Sequence, residues 1–182
     1  MKGILLIIIA FCTMSFKTGN TGTKLFATKN QSWISYNGSH PFHDWTATNR
    51  DINCVITVNQ ANQQIETVAV SARVIAFDSQ NSNRDSHALE VLDAYVYPKI
   101  NFVGDKIIQN GNSLLIQGKL NFHGITQKII VKAYVKYTEK GMKIAGEIPI
   151  LLDNYKVHRP RLLAFKISND LTIKFQIDFI DK

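Results

Sequence analysis

Strict alternation of apolar and polar residues runs through most of this chain, and it limits the possible folds more than any other feature. The clearest case is the segment 171–179, in which every second residue from Leu171 to Phe179 is apolar and the residues between are polar. The same period of two recurs in segments 68–76, 114–122, 129–137 and 142–150. Because alternate residues of a strand point to opposite faces, these segments predict β-strands with one buried face.

Turn signals between these segments predict antiparallel pairing. Asn110-Gly111 is a tight-turn pair, since glycine takes positive φ without steric cost, and Gly124 and Gly141 mark further hairpins. Short connections make neighbouring strands antiparallel. About eight strands of this kind predict an all-β fold, either an up-and-down barrel or a sandwich. We favour the barrel because closure removes exposed sheet edges.

One segment breaks the alternation and predicts a helix. Ser82 or Asn83 can cap it, and Pro98 stops any continuation. Between them, apolar residues recur at helical spacing. These residues are Ala88, Leu89, Val91, Leu92 and Tyr95. We therefore expect one short helix over about 83–95, packed against the barrel at an open end.

The N-terminus has the layout of a secretory signal. Lys2 precedes the apolar run 4–11, which is too short to cross a bilayer, and small or polar residues follow it. We expect a signal peptide over 1–15, removed after Ser15, and therefore a periplasmic or secreted protein. Residues 16–32 are expected to be a linker or a weak first strand, and residues 33–182 the barrel domain.

The two cysteines predict no disulfide in the mature protein. Cys12 leaves with the signal peptide, and its lipidation is disfavoured because Phe11 is bulky where a lipoprotein signal needs a small residue. Cys54 then has no partner. It alternates with Ile52 and Ile56, so we interpret it as a buried and inert strand residue.

Four sequence blocks together resemble the YceI-like family. RDSHALEVLDAYVYPKINF (84–102) resembles the family's Arg-Asp-x-His start, apolar helix and Tyr-Pro strand. SHPFHDWTAT (39–48) resembles a His-Asp-Trp variant found in one branch. Two further blocks resemble the family's strand-turn-strand element and its closing segment. They are LLIQGKLNFHGITQKIIV (114–131) and LLDNYKVHRPRLLAFKISNDLTIKF (151–175).

This resemblance implies a lipocalin-like antiparallel barrel that holds an isoprenoid or another long-chain lipid in its interior. It implies a non-enzymatic binding protein, with no cofactor other than such a lipid and a hydrophobic small molecule as its partner. Contact with an anionic membrane surface and pairing of two copies are both left open. The net charge of +7 fits an anionic partner or simply a solvated surface, because the basic residues are spread along the strands.

The expected ligand contacts fall into two groups. Polar and aromatic residues are expected at the mouth: Phe42, His43, Trp45, Arg84 and His87. Apolar inward rows are expected to hold the tail: Val70, Val74, Leu120, Phe122, Val131, Ile144 and Phe175. Small residues in those rows indicate either a cavity or steric relief where strands bend. They are Ala72, Ala76, Gly118, Ala133 and Gly146.

Other functions remain as alternatives. His40 and His43 with Asp44, joined by Asp85 and His87, have the residue types of a metal site or a general base. Nothing in the sequence shows that the two segments meet, so we expect no metal. No nucleophile or second catalytic acid accompanies them, so we expect no catalytic residue. In that interpretation Asp85 and His87 cap backbone groups and Arg84 pairs with a carboxylate.

Two wider alternatives follow from these observations. One is an exported structural or stress-related interaction protein with a filled barrel, and the other is a His-based metal-dependent enzyme. Nucleic-acid binding is excluded from the expectation because no basic run interleaves with aromatic residues on one strand face.

Overall fold

The structure is a computed structural model that describes residues 22–162 and 164–180, without the side chain of Leu162. The expected signal peptide and Cys12 lie outside the described residues. Within them the chain forms twelve strands and one α-helix. The strands are β1 (Thr23–Phe26), β2 (Trp33–His40), β3 (His43–Asn49), β4 (Ile52–Val58), β5 (Ile65–Arg73), β6 (Lys99–Asn110), β7 (Ser113–Phe122), β8 (Ile125–Thr138), β9 (Gly141–Leu151), β10 (Arg161–Leu162), β11 (Phe165–Lys166) and β12 (Asp170–Ile180), and the helix is α1 (Ser82–Val91).

Ten strands form a single antiparallel sheet in the order β1-β4-β5-β6-β7-β8-β9-β12-β2-β3. Strands β4 to β9 pair in chain order, joined by short turns except between β5 and β6, where the segment that contains α1 intervenes. This order confirms the up-and-down arrangement, whereas the expected number of about eight strands was too low. At the β7–β8 turn His123 and Gly124 both have positive φ, as a tight two-residue hairpin requires. Strands β10 and β11 form a separate small hairpin.

The sheet must curl, because strands at opposite ends of the order are joined by a very short link. Eight inter-strand steps of about 4.8 Å would place β3 roughly 38 Å from β4 in a flat sheet. Only residues 50–51 connect these strands, and the three Cα–Cα steps from Asn49 to Ile52 span about 11 Å at most. The two ends of the sheet therefore meet, which gives the expected lipocalin-like barrel.

Backbone hydrogen bonds secure the seam where the sheet ends meet. Thr48 N donates to Asp78 O at 2.9 Å, and Asp78 N donates back to Thr48 O at 3.1 Å. Farther along, Thr28 N donates to Asp178 O at 2.7 Å, and Asp178 N donates to Ser32 Oγ at 3.0 Å. The stretch after β1 thus binds across the edge of β12 and satisfies backbone groups there.

Inward-facing side chains form two clusters, one in each half of the barrel. The first, here called the lower core, is tightly closed and includes Ile56, Ile116, Val131, Val135, Ile144, Ile177 and Phe179. The second, here called the upper cluster, lies toward α1 and includes Leu120, Phe122, Ile150, Leu152, Tyr155 and Val157. The half-buried residues Phe102, Ile129 and Ile148 pack against both clusters and therefore mark the boundary between them.

The small residues of the inward rows leave room for aromatic rings and do not line a cavity. A Cβ on Gly118 would lie 2.7 Å from Cζ of Phe102, and a Cβ on Gly146 would lie 2.9 Å from Cζ of Phe175. These glycines therefore accommodate the two phenylalanine rings. Ala72 and Ala133 are buried in the lower core. Ala76 lies beyond β5, in a 3-10 turn over Val74–Ala76, so the strand expected over 68–76 ends earlier, at Arg73.

The buried thiol of Cys54 gives a direct test of the lower core. Burial raises the pKa of Cys54 to about 12, so almost no thiolate exists at pH 8. In a Cys12→Ser variant, where Cys54 is the only thiol, we expect no measurable reaction with a disulfide reagent such as DTNB in the folded protein. The same sample should release one equivalent of chromophore in denaturing urea. Rapid reaction of the folded protein at pH 8 would contradict this packing.

Candidate functional site

A cavity of about 460 Å³ occupies the barrel end beneath α1. Its walls come from β2 and β3, from the segment 74–92 that contains α1, from the inward residues of β6, β7 and β12, and from the region after β9. The volume is typical of small-molecule sites. We call it the upper pocket.

The polar wall of the upper pocket is built by the β2–β3 hairpin. Tyr36 and His40 of β2 and His43 and Trp45 of β3 line the pocket, and the period of two along each strand places them on one face. Trp45 pairs directly with Gly38 across the hairpin. A Cβ on Gly38 would lie 2.3 Å from the indole, so only glycine lets this ring lie flat across β2.

The start of α1 completes the polar wall. Arg84 stacks over the Trp45 ring at 5.6 Å from its centroid, a cation–π contact. Burial raises the pKa of the Tyr36 phenol, and the adjacent indole of Trp45 partly opposes that rise. The indole approaches Tyr36 without completing a hydrogen bond. Within the described residues Nε1 of Trp45 is therefore a buried donor that lacks an acceptor, and such a donor is costly unless a further group pairs with it.

The helix itself is capped by residues just before it, and it ends earlier than predicted. The Asn81 side chain accepts a hydrogen bond from Arg84 N at 3.0 Å, so the predicted caps Ser82 and Asn83 were wrong by one or two positions. The Asp85 carboxylate accepts a hydrogen bond from Ser79 N at 3.1 Å, as expected of a capping role. The positive φ of Asp93 turns the chain, and the predicted helical residue Tyr95 is fully exposed.

No residue of α1 is buried, although one of its faces is apolar. Ala88, Leu89 and Val91, followed by Leu92, line the upper pocket. Val91 and Leu92 also pack against the upper cluster, whereas Ala88 and Leu89 are half-buried and line the pocket without belonging to either cluster. The apolar face of the helix is thus only partly covered by the barrel, where an ordinary surface helix would pack fully on a core. This face is the part of the site that most clearly requires a hydrophobic occupant.

A short hairpin fixes the other side of the mouth. Phe42 N donates to Nδ1 of His40 at 3.4 Å, so Nε2 carries the proton of the neutral ring and donates to Phe165 O at 3.3 Å. Ser168 N also donates to Ser39 O at 2.8 Å. These bonds hold the β10–β11 hairpin against the β2–β3 hairpin. His40 thus has a structural role, and among the described residues no group of three metal-ligating side chains occurs.

The structure places the predicted contact residues in three environments. Seven of them line the upper pocket: His43, Trp45, Val74, Arg84, His87, Leu120 and Phe122. Phe42 is exposed and packs edge-on against Phe165 at 5.7 Å. Val70, Val131, Ile144 and Phe175 belong to or pack against the lower core. Arg84 stacks on Trp45, where a carboxylate partner had been expected, and His87 lies exposed at the rim.

Sequence reasoning missed several residues of the pocket wall. Tyr36 lies on a strand outside the clear apolar rows, although its period-two relation to His40 was visible. Leu171 and Ile173 belong to a row that was recognised, but their depth in the barrel was not, and Ile100 lies outside the recognised rows. In addition, no helix among the described residues has the length and apolar character needed to cross a membrane.

Comparison with known proteins identifies the family. A family model described as a YceI-like domain matches residues 27–179. UPF0312 proteins of Pseudomonas savastanoi and Pseudomonas syringae are 26% identical over 106 residues, which are 56% of this chain and 52% of theirs. The chain thus spans about half the length of the curated relatives it matches.

Solved structures share the fold at low sequence identity. BcnA of Burkholderia cenocepacia has a TM-score of 0.75 at 18% identity, covering 83% of this chain and 98% of its own. A polyisoprenoid binding domain from Saccharophagus degradans has a TM-score of 0.69 at 11% identity, covering 88% and 100%. The Campylobacter jejuni YceI protein has a TM-score of 0.63 at 16% identity, with both chains fully covered.

Proposed function

The chain belongs to the YceI-like domain family, and we propose that it binds or carries a hydrophobic, isoprenoid-like lipid without catalysing a reaction. The observation that carries this proposal is the apolar face of α1, which lines the upper pocket although no residue of the helix is fully buried. A hydrocarbon chain in the pocket would cover this face and remove it from water. The polyisoprenoid binding domain from Saccharophagus degradans, which shares the fold, supports the same ligand class.

The division of the pocket wall supports an amphiphilic ligand. Tyr36, Trp45 and Arg84 gather polar groups at the hairpin side, whereas Leu120 and Ile173 on the barrel side are apolar. A lipid tail would lie among the apolar residues, with its polar end at the hairpin. An acceptor oxygen there would pair with the unsatisfied Nε1 of Trp45.

The energetics favour such a ligand even with few polar contacts. Each methylene transferred from water into the pocket contributes about 0.8 kcal/mol. Ten buried carbons therefore supply roughly 8 kcal/mol before the entropic cost of association. Affinity of this origin requires shape and apolar surface more than a specific motif.

The site of action is part of the proposal. The basic residue Lys2 and the apolar run 4–11 support export to the periplasm or the extracellular space. In that compartment a carrier would keep a water-insoluble lipid in solution between membranes.

We expect the protein to copurify with lipid when it is exported with its own N-terminus and isolated without detergent. Native mass spectrometry should show an added mass, and extraction with organic solvent should release a hydrophobic compound. The extracted protein should then rebind farnesol, an isoprenoid alcohol, at about one molecule per chain. Protein that carries no added mass and also fails to rebind farnesol would contradict a lipid-binding function.

A further inference from the structure

The upper pocket ends part-way down the barrel. On β6 the pocket residue Ile100 is followed, at the next inward position, by Phe102, and on β12 Ile173 is followed by Phe175. Both phenylalanines pack against the lower core, and Phe102 also packs against the upper cluster. Both rings therefore lie between the pocket and the lower core. We call them the floor.

The floor separates the upper pocket from the lower core. Phe102 and Phe175 are half-buried inward residues, and neither ring lines the upper pocket, whose lining on these two strands ends at Ile100 and Ile173. Below them, Val131 is 2% exposed and Ile177 is 4% exposed. A chain entering from the mouth would therefore meet the rings and find no continuous path beyond them.

Glycines hold the floor in place. The ring of Phe102 lies against Gly118, and the ring of Phe175 lies against Gly146, each close enough that a methyl group would collide with it. The rings can thus extend across the interior with no side chain beneath them to tilt them upward. The arrangement closes the lower barrel with two aromatic groups and leaves the upper half free.

From this geometry we infer that the protein limits the length of isoprenoid chain that it can bury, so that affinity stops rising beyond that length. Liquid water occupies about 30 Å³ per molecule, so a cavity of about 460 Å³ has room for roughly fifteen non-hydrogen atoms. That corresponds to about three isoprene units. A longer chain would leave its remaining carbons in solvent, where they add no affinity. This inference rests on the proposed function and assigns Phe102 and Phe175 as the residues that determine specificity.

The test is a competition between two alcohols that differ only in chain length. Lipid-free protein is mixed with equimolar farnesol and geranylgeraniol, which is one isoprene unit longer, and the bound ratio is measured by native mass spectrometry. Each buried methylene is worth about fourfold in affinity, so full burial of the extra unit would favour geranylgeraniol more than about hundredfold. For the natural sequence we expect a preference of less than about threefold.

Removing one floor ring should shift the preference. In Phe175→Ala we expect geranylgeraniol to be favoured at least about tenfold, because the space of the ring becomes available to the chain. Phe175→Leu should shift it less and serves as the milder variant where the alanine variant does not fold. Phe179→Ala is the matched control, since Phe179 lies on the same face of β12 but deep in the lower core. It should leave the preference unchanged.

The outcomes separate this inference from the proposed function. Strong preference of the natural sequence for geranylgeraniol would overturn the length limit and leave lipid binding intact. An unchanged ratio in both folded Phe175 variants would overturn the assignment of the floor. Failure of the natural sequence to bind either alcohol would overturn the proposed function and this inference with it.

Discussion

Replacing Ala88 with tryptophan is expected to reduce farnesol affinity at least about hundredfold while the protein stays folded. Ala88 lines the upper pocket from α1 and is half-buried. An indole at this position would occupy the volume of the tail. Loss of only four buried methylenes, at about 0.8 kcal/mol each, already accounts for more than a hundredfold.

The measurement has a matched control on the same helix. Ser86 is exposed and does not line the upper pocket, so Ser86→Trp adds the same side chain on the solvent side. It should bind farnesol as the natural sequence does. Thermal melts give a second readout, because farnesol should raise the melting temperature of the natural sequence and of Ser86→Trp but not that of Ala88→Trp. Farnesol affinity of Ala88→Trp equal to that of Ser86→Trp would place the ligand elsewhere.

The strands were predictable because their evidence is local. Alternation over 114–122, 129–137, 142–150 and 171–179 falls within the observed β7, β8, β9 and β12, respectively. Two short strands lack that pattern. Thr23–Phe26 lies in the stretch that was predicted to be a linker or a weak first strand, and His43–Asn49, which was not predicted, carries polar residues on both faces. The pairing of β1 with β4 joins strands that are distant in the sequence, so no turn signal predicts it.

The pocket was only partly predictable, because alternation reveals which face a residue occupies but not its depth. Val131 and Leu120 both belong to inward rows, yet Val131 lies in the lower core and Leu120 lines the upper pocket. Depth depends on barrel tilt and on which end α1 covers, and both are tertiary properties. Trp45 and Arg84 were identified because the blocks that resemble the family contain them.

The role of the small inward residues was also not predictable from the sequence. A glycine in an inward row is compatible with a cavity or with a bulky neighbour, and the sequence cannot distinguish these. Gly146 lies beneath Phe175, its direct partner across β9 and β12. The pair closes the barrel where a cavity had been an alternative.

The burial of Asp178 was also not predictable from its strand. The alternation of β12 places Asp178 on the solvent face, but residues 27–32 cover it there.

Lys143→Met is expected to lower the free energy of unfolding by about 3 kcal/mol, because it removes the charge partner of the buried Asp178. Asp178 is 2% exposed and pairs with Lys143, its direct cross-strand partner on β9. Without the ammonium group a carboxylate would remain buried, and the Gln176 side chain, at 2.9 Å, would be its one remaining side-chain donor among the described residues. The partial exposure of Lys143 places the effect at the lower end of the range for buried pairs. The corresponding fall in melting temperature is about 6–12 °C.

Two further variants decide whether the lost charge pairing is the cause. Lys136 faces Lys143 across β8 and β9, and no ion pair involving it occurs within the part of the chain that the structure describes. Lys136→Met should therefore change the free energy of unfolding by less than about 0.5 kcal/mol. Adding Asp178→Asn to Lys143→Met should restore at least half of the loss, because the unpaired charge is removed while an amide can still bond to its neighbours. Equal stability of Lys143→Met and Lys136→Met in urea unfolding would show that the Lys143–Asp178 pair does not stabilise the seam of the barrel.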